Sequence, residues 1–230
     1  FENTRSQVLN FSSLAGAAAY YLADATVTPN PVNLGNQRVG GTAAGVLIVT
    51  NAAPAGVYTE ALNASFGALT GSVLTNGGAV NLLAGGASNG SAMAVRLDGS
   101  SAGTKTGTAQ VLLASDGWGS SGLGVTQLAP QTVTVNGAFY NTAVGGTTPT
   151  PVVIANQRVG GAAGQLLNVA NTAAAGSFSE ALNAGFSGTT GAATTNGGSV
   201  SNLIAGGVNS AAMRVGLDTA SAGAKSGSVT

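Results

Sequence analysis

The sequence predicts an all-β protein, two tandem β-sandwich modules behind an extended N-terminal arm, and three observations carry that expectation. The first is a repeat. Asn36-Gln37-Arg38-Val39-Gly40-Gly41 returns letter for letter as Asn156-Gln157-Arg158-Val159-Gly160-Gly161, and Glu60-Ala61-Leu62-Asn63-Ala64 returns as Glu180-Ala181-Leu182-Asn183-Ala184. The offset of 120 residues is the size of a small domain, too long for one coil of a solenoid or a β-helix. The second is a hydrophobic period of two: Met93, Val95 and Leu97 alternate with Ala94, Arg96 and Asp98, and Val133, Val135 and Phe139 fall on one face of Gln131–Tyr140. The third is a succession of short apolar runs between Gly, Asn and Pro turn signals, with no helical period anywhere.

Residues 1–25 stand apart as the arm. Arg5–Phe11 reads as a strand, and Gln7-Val8-Leu9 echoes Gln110-Val111-Leu112. Leu14–Tyr21 is rich in alanine but too short for a stable lone helix. Tyr20 lies 120 residues before Tyr140, so Ala19-Tyr20 reads as the tail of a preceding module's last strand.

The first module, residues 26–144, begins at Thr28-Pro29-Asn30-Pro31, and the second, residues 145–230, at Thr148-Pro149-Thr150-Pro151. Both are stiff, extended segments that mark the module boundaries. Strands are expected near 31–35, 43–50, 57–66, 70–75 with 79–83, 91–98, 106–114 and 131–140. Val46-Leu47-Ile48-Val49 reads as a strand buried on both faces, and Asn76-Gly77 as a hairpin turn joining its two flanking strands. Thr230 aligns with Gln110, so residues 145–230 hold no counterparts of Val111–Tyr140 and the second module is expected to lack its last strands. A sandwich so shortened leaves unpaired sheet edges, to be filled either by the arm of another copy or by the same strands supplied in cis within a longer tandem array.

Charged residues are 6% of the chain, seven basic and seven acidic, for a net charge of zero. Nucleic-acid binding needs a basic stripe and anionic lipid a polybasic face, and neither is present. No apolar run is long enough to span a bilayer, so no direct membrane insertion is expected. There is no Cys and no His, which removes disulfides, Ser-His-Asp and Cys-His arrangements and the usual zinc sites. No catalytic, metal or cofactor site is expected, and the protein reads as a non-enzyme. The Asp98 and Asp218 loops each offer one carboxylate where calcium takes about six to eight oxygens, and read as Asx turns.

Four charged residues recur at equivalent places. Arg38 with Glu60, and Arg158 with Glu180, are expected as structural ion pairs bridging strands of one module. Trp118, the single tryptophan, sits in the Gly-rich loop Asp116–Gly124. It reads first as a cap over the open end of its own module; the alternative is an anchor against a neighbouring module or subunit.

Three segments carry a resemblance: Asn-Leu-Gly-Asn-Gln-Arg-Val-Gly-Gly from Asn33, the stretch Thr50–Ala64, and Ser115–Gly124. Over residues 26–230 the chain resembles the choice-of-anchor D family, bacterial exported proteins with C-terminal surface anchors. The resemblance implies immunoglobulin-like β-sandwiches and an extracellular or cell-surface location, and implies no reaction. This sequence departs from it in showing no anchor segment.

The functional expectation is a structural subunit of an extracellular or cell-surface filament or matrix, with itself as partner. Val8, Leu9, Phe11, Leu14, Tyr20 and Tyr21 are the expected donated strand, the exposed edge of the second module the acceptor, and Trp118 a further self-association residue. Unlike donor and acceptor patches propagate into an open fibre unless they close into a ring. The alternative is an adhesive or carbohydrate-binding module of a longer tandem-repeat surface protein, with glycan as partner.

Overall fold

The structure, a computed structural model, describes residues 18–162 and 164–230. Among them there is no helix, and so none long and apolar enough to cross a membrane. The all-β class holds.

In the first repeat, β1 (Ala25–Thr28), β3 (Ala44–Asn51), β5 (Val73–Thr75) and β7 (Ser88–Leu97) form a sheet in the order β1-β3-β7-β5. A second sheet has the order β2-β9-β8-β4-β6, from β2 (Val32–Arg38), β4 (Ala61–Leu69), β6 (Ala79–Leu83), β8 (Gly103–Asp116) and β9 (Val125–Tyr140). The period-two pattern sorts their faces. Met93, Val95 and Leu97 are buried on β7, and Val133, Val135 and Phe139 on β9. The sheets meet closely enough to require glycine. Val32 of β2 lies against Gly45 of β3, and a Cβ on Gly107 of β8 would stand 2.9 Å from Cγ2 of Val73.

The structure corrects two local expectations. Val46–Val49 is buried on one face only: Leu47 and Val49 are sealed, while Val46 and Ile48 are 45% and 44% exposed. The Asn76-Gly77 turn closes no hairpin, because β5 pairs with β7 and β6 pairs with β4, in different sheets. The Asn76 side chain donates to Ala92 O (2.9 Å) and accepts from Ala94 N (3.0 Å), filling in for a strand backbone beside β7, while Gly77 takes φ +67° to let the chain leave. Asn196 repeats both bonds with Ala212 and Arg214. The prolines at 29 and 31 lie where the chain crosses from β1 in one sheet to β2 in the other.

The second repeat keeps less of this. β10 (Gly145–Thr148), β12 (Asn168–Asn171) and β16 (Val208–Asn209) form one three-stranded sheet. β11 (Gly164–Leu166), β17 (Arg214–Leu217) and β14 (Ala193–Thr195) form another, and β13 (Leu182–Gly185) pairs with β15 (Ser199–Leu203) alone. Its core is Leu167, Val169, Val200, Met213 and Val215, with Val152, Leu182, Phe186 and Val229 partly buried against it. The chain divides into two compact units. One runs up to Leu34 and takes Ala44–Leu97 and Thr106–Asn136; the other comprises Gly35–Ala43, Asp98–Lys105 and Gly137–Thr230.

Candidate assembly interface

The second repeat carries an open groove. One wall is Val152–Arg158, the counterpart of β2, which forms no strand here. The other is Lys225–Val229, the counterpart of the first half of β8. Leu167 and Val215 lie between them, and the cavity holds about 560 Å³, continuing past Ile154 toward Val159. Its walls are bared: Val153 is 82% exposed and Val159 61%. In the first repeat the same place holds β9, hydrogen-bonded between β2 and β8. Contacts between β9 and the β2 segment rise in number together. Asn30 Nδ2 donates to Thr132 O (2.8 Å), Asn30 Oδ1 accepts from Thr134 N (3.0 Å), and Val39 N donates to Tyr140 O (2.9 Å). The two therefore run parallel.

A second open feature is the edge of β13. Its counterpart β4 pairs with β6 on one side and with β8 on the other, from Ala61 opposite Asp116 to Leu69 opposite Ala109. Among the described residues β13 has only the β15 side. Leu62 is accordingly sealed, while Leu182 is only half-buried.

Where the chain enters each repeat, one joint recurs. Tyr21 N donates to Tyr58 O (2.8 Å) and Glu60 N to Tyr21 O (2.9 Å); Asn141 N donates to Phe178 O and Glu180 N to Asn141 O, both 2.9 Å. Tyr21 bridges Thr59, and Asn141 bridges Ser179, in parallel register. The Tyr20 ring meets Tyr58 at 5.5 Å between centroids, and Tyr140 meets Phe178 at 5.4 Å. The Ala19-Tyr20 segment thus takes the course at its repeat that Phe139-Tyr140 takes at the next. Tyr21 is 60% exposed. The expected donor residues Val8, Leu9, Phe11 and Leu14 lie outside the described residues.

The expected ion pairs are re-partnered. Arg38 Nε donates to Glu180 Oε1 at 2.9 Å, not to Glu60. Arg38 ends β2, where Val39 meets Tyr140, whereas Glu60 lies just before β4, whose first residue pairs with the last of β8, so Arg38 and Glu60 stand at opposite ends of the same sheet. Glu180, by its hydrogen bond and then by its charge, pushes the Arg38 guanidinium above its ordinary range. Arg158 is exposed, and no ion pair joins it to Glu180.

Glu60 is sealed and takes hydroxyl partners instead. Its Oε2 accepts from Ser115 Oγ (2.7 Å) and its Oε1 from Ser121 Oγ (2.5 Å), and Ser115 Oγ in turn accepts from Ala23 N (2.8 Å). These bonds pin the Gly-rich loop, which Gly117 N closes by donating to Gly124 O (2.7 Å). Trp118 does not cap its own module. It stands 73% exposed on that pinned loop, and Leu123 of the same loop is 80% exposed. The Asp98 loop is an Asx turn, its Oδ1 accepting from Ser100 N (3.0 Å). Among the described residues no three acidic side chains gather to hold a metal.

Sequence reasoning missed Asn51 and Asn171. Asn51 Nδ2 donates to Glu60 O and Leu83 O, and its Oδ1 accepts from Asp24 N and Ala53 N. Asn171 makes the same four bonds to Glu180, Leu203, Val144 and Ala173. The available signal was an asparagine closing an apolar run and followed by Ala-Ala or Thr-Ala in both repeats.

No family model matches the chain, and no curated protein matches it. Among solved structures it is similar to a protein of unknown function from Porphyromonas gingivalis W83, 12% identical over 84% of this chain and 83% of that one, with a TM-score of 0.36. A likeness at that score carries no argument about fold or function.

Proposed function

We propose that the protein is a structural subunit of an extracellular or cell-surface filament or matrix, assembling when the N-terminal arm of one copy completes the second repeat of another. The observation that carries this reading is the groove between Val152–Arg158 and Lys225–Val229, whose first-repeat counterpart is filled by β9. Burying its apolar floor and pairing its unpaired backbone supply the driving force, at about 25 cal/mol per Å² of apolar surface together with strand hydrogen bonds.

Each repeat is, in this reading, an immunoglobulin-like sandwich. The orders β1-β3-β7-β5 and β9-β8-β4-β6 of the first repeat support it, because they match the two facing sheets of that architecture. Membership of the choice-of-anchor D family and an exported location belong to the same proposal and rest on the sequence resemblance.

Electron microscopy of the purified protein tests the reading. Fibres or rings are expected from the full chain and only dispersed particles after deletion of residues 1–22. Assembly that persists without the arm overturns arm exchange.

One observation favours the second reading, an adhesive or glycan-binding module. Trp118 is held out to solvent on a loop fixed by Glu60 and Asp116, the arrangement of a preformed stacking platform. Loss of glycan-array binding on Trp118→Ala supports it; no binding by the unaltered chain removes it.

A further inference from the structure

Resting on the glycan reading above, we infer that Leu82 completes the Trp118 site, and that the site takes an uncharged saccharide whose apolar ring face lies on the Trp118 indole and whose edge reaches Leu82 and Asn81. What singles out Leu82 is a backbone conformation it has no local reason to bear. Leu82 has φ +54°, and so does Asn202, its counterpart 120 residues on; among the described residues these two are the non-glycine residues with positive φ. One device holds both: Asn63 Oδ1 accepts from Leu82 N and Asn183 Oδ1 from Asn202 N, each at 2.7 Å. Asparagine enters the left-handed region readily, whereas a leucine Cβ there crowds the following carbonyl oxygen. The second repeat has the residue the backbone favours. The first has leucine and leaves it 62% exposed, so burial within its own fold does little to offset the strain. Strain of this kind persists at contacts made with something outside the fold.

Leu82 and Trp118 belong to one hydrogen-bonded frame. Asn63, whose Oδ1 holds Leu82 N, donates through Nδ2 to Asp116 Oδ2 at 2.9 Å, and Asp116 Oδ1 accepts from Trp118 N at 3.0 Å. Leu83 pairs with Leu62, and Ala61 with Asp116, so the two exposed apolar residues stand at the same end of one sheet. Gly124 lies against the indole: a Cβ there would stand 3.8 Å from Trp118 Cζ2, and most of the ring is in water. The groups around this frame select the ligand. No lysine or arginine occurs in β4, β6 or Asp116–Gly124, and both oxygens of Asp116, the one acid there, are engaged. Nothing there pairs with a phosphate, a sulfate or a uronate. Asn81, exposed next to Leu82, carries a donor and an acceptor, and among the described residues β6 is bonded to β4 alone, which leaves its outer edge to hydroxyl partners. An aromatic face, an aliphatic rim and neutral hydrogen-bonding groups match the C–H face and hydroxyls of a neutral pyranose.

The second repeat supplies the test substitution. Leu82→Asn gives the first repeat the residue that its own counterpart carries at the same φ. The full-length chain is probed with immobilised cellohexaose, laminarihexaose and chitohexaose, and the strongest binder is then titrated by calorimetry. Leu82→Asn should raise the urea midpoint and yet weaken saccharide binding by about tenfold, the opposite signs expected of a residue kept for contact at the expense of stability. Trp118→Ala should abolish binding. The reverse exchange, Asn202→Leu, should lower the midpoint and leave binding unchanged. If Trp118→Ala abolishes binding while Leu82→Asn retains full affinity, the inference is overturned and the glycan reading stands. A fall in midpoint with Leu82→Asn overturns it too, because the strain it rests on is then absent. A change in self-association in place of saccharide affinity assigns Leu82 to a protein contact and overturns it as well. No binding of any of the three by the unaltered chain removes the inference and the glycan reading together.

Discussion

Asn51 Nδ2 donates to the carbonyl oxygen of Glu60 at 3.2 Å, and 120 residues later Asn171 does the same to Glu180 at 3.0 Å. The asparagine is sealed in both repeats and ties the end of one strand to the incoming chain and to two loops. An alanine there abandons two acceptors and two donors at once, each buried or part-buried. We predict that Asn51→Ala and Asn171→Ala each cost about 2–4 kcal/mol, read as a fall in urea midpoint, with Asp at either position hardly better because it supplies no donor.

Glu60 and Glu180 are sequence equivalents in unlike surroundings, one sealed among hydroxyls, the other 34% exposed in its side chain and paired with Arg38. Glu60→Ala should therefore destabilise the protein by about 2–3 kcal/mol through the orphaned Ser115 and Ser121 and the loosened loop. Glu180→Ala should leave stability nearly unchanged. The Arg38–Glu180 coupling, measured by a double-mutant cycle, should vanish near about 1 M salt, where screening acts within about 3 Å. The sign of its pH dependence is fixed by a raised arginine pKa. The contribution of the raised cation is present at neutral pH and is lost as pH climbs through the strongly alkaline range.

Leu62 and Leu182 hold matching positions in the repeats, yet only Leu62 is sealed. Leu62→Ala should cost about 2–5 kcal/mol. Leu182→Ala should cost well under half of that in the dispersed protein, and more once the protein has assembled. Thermal midpoints on either side of assembly check the difference.

Trp118 is the single tryptophan and is largely in water, so its fluorescence should be red-shifted and open to quenching by iodide. Trp118→Ala should leave the unfolding midpoint within error. A blue shift on assembly would put Trp118 in a subunit contact, and an unchanged spectrum would exclude it from one.

The repeat and the period of two made the all-β class and most strand positions of the first module legible, since both follow from which side chains leave water. Partnerships were less legible. A charge that recurs every 120 residues can pair within its repeat or with the next, and the sequence is the same either way; geometry chose Arg38 with Glu180. The Asn76-Gly77 turn looked like a hairpin because its φ preference is local, whereas the separation of β5 and β6 into different sheets is tertiary. Burial of Asn51 was invisible because polar residues are ordinarily solvated, and only its four partners reverse that cost. The walls of the groove, Val152–Arg158 and Lys225–Val229, needed coordinates.

Hydrogen–deuterium exchange of the Val152–Arg158 amides tests most directly whether an outside strand fills the second repeat. At assembling concentrations the full chain should protect the amides that face the groove, and the chain without residues 1–22 should exchange them as fast as open coil. Equal, rapid exchange in both, or equal protection in both, would contradict the account.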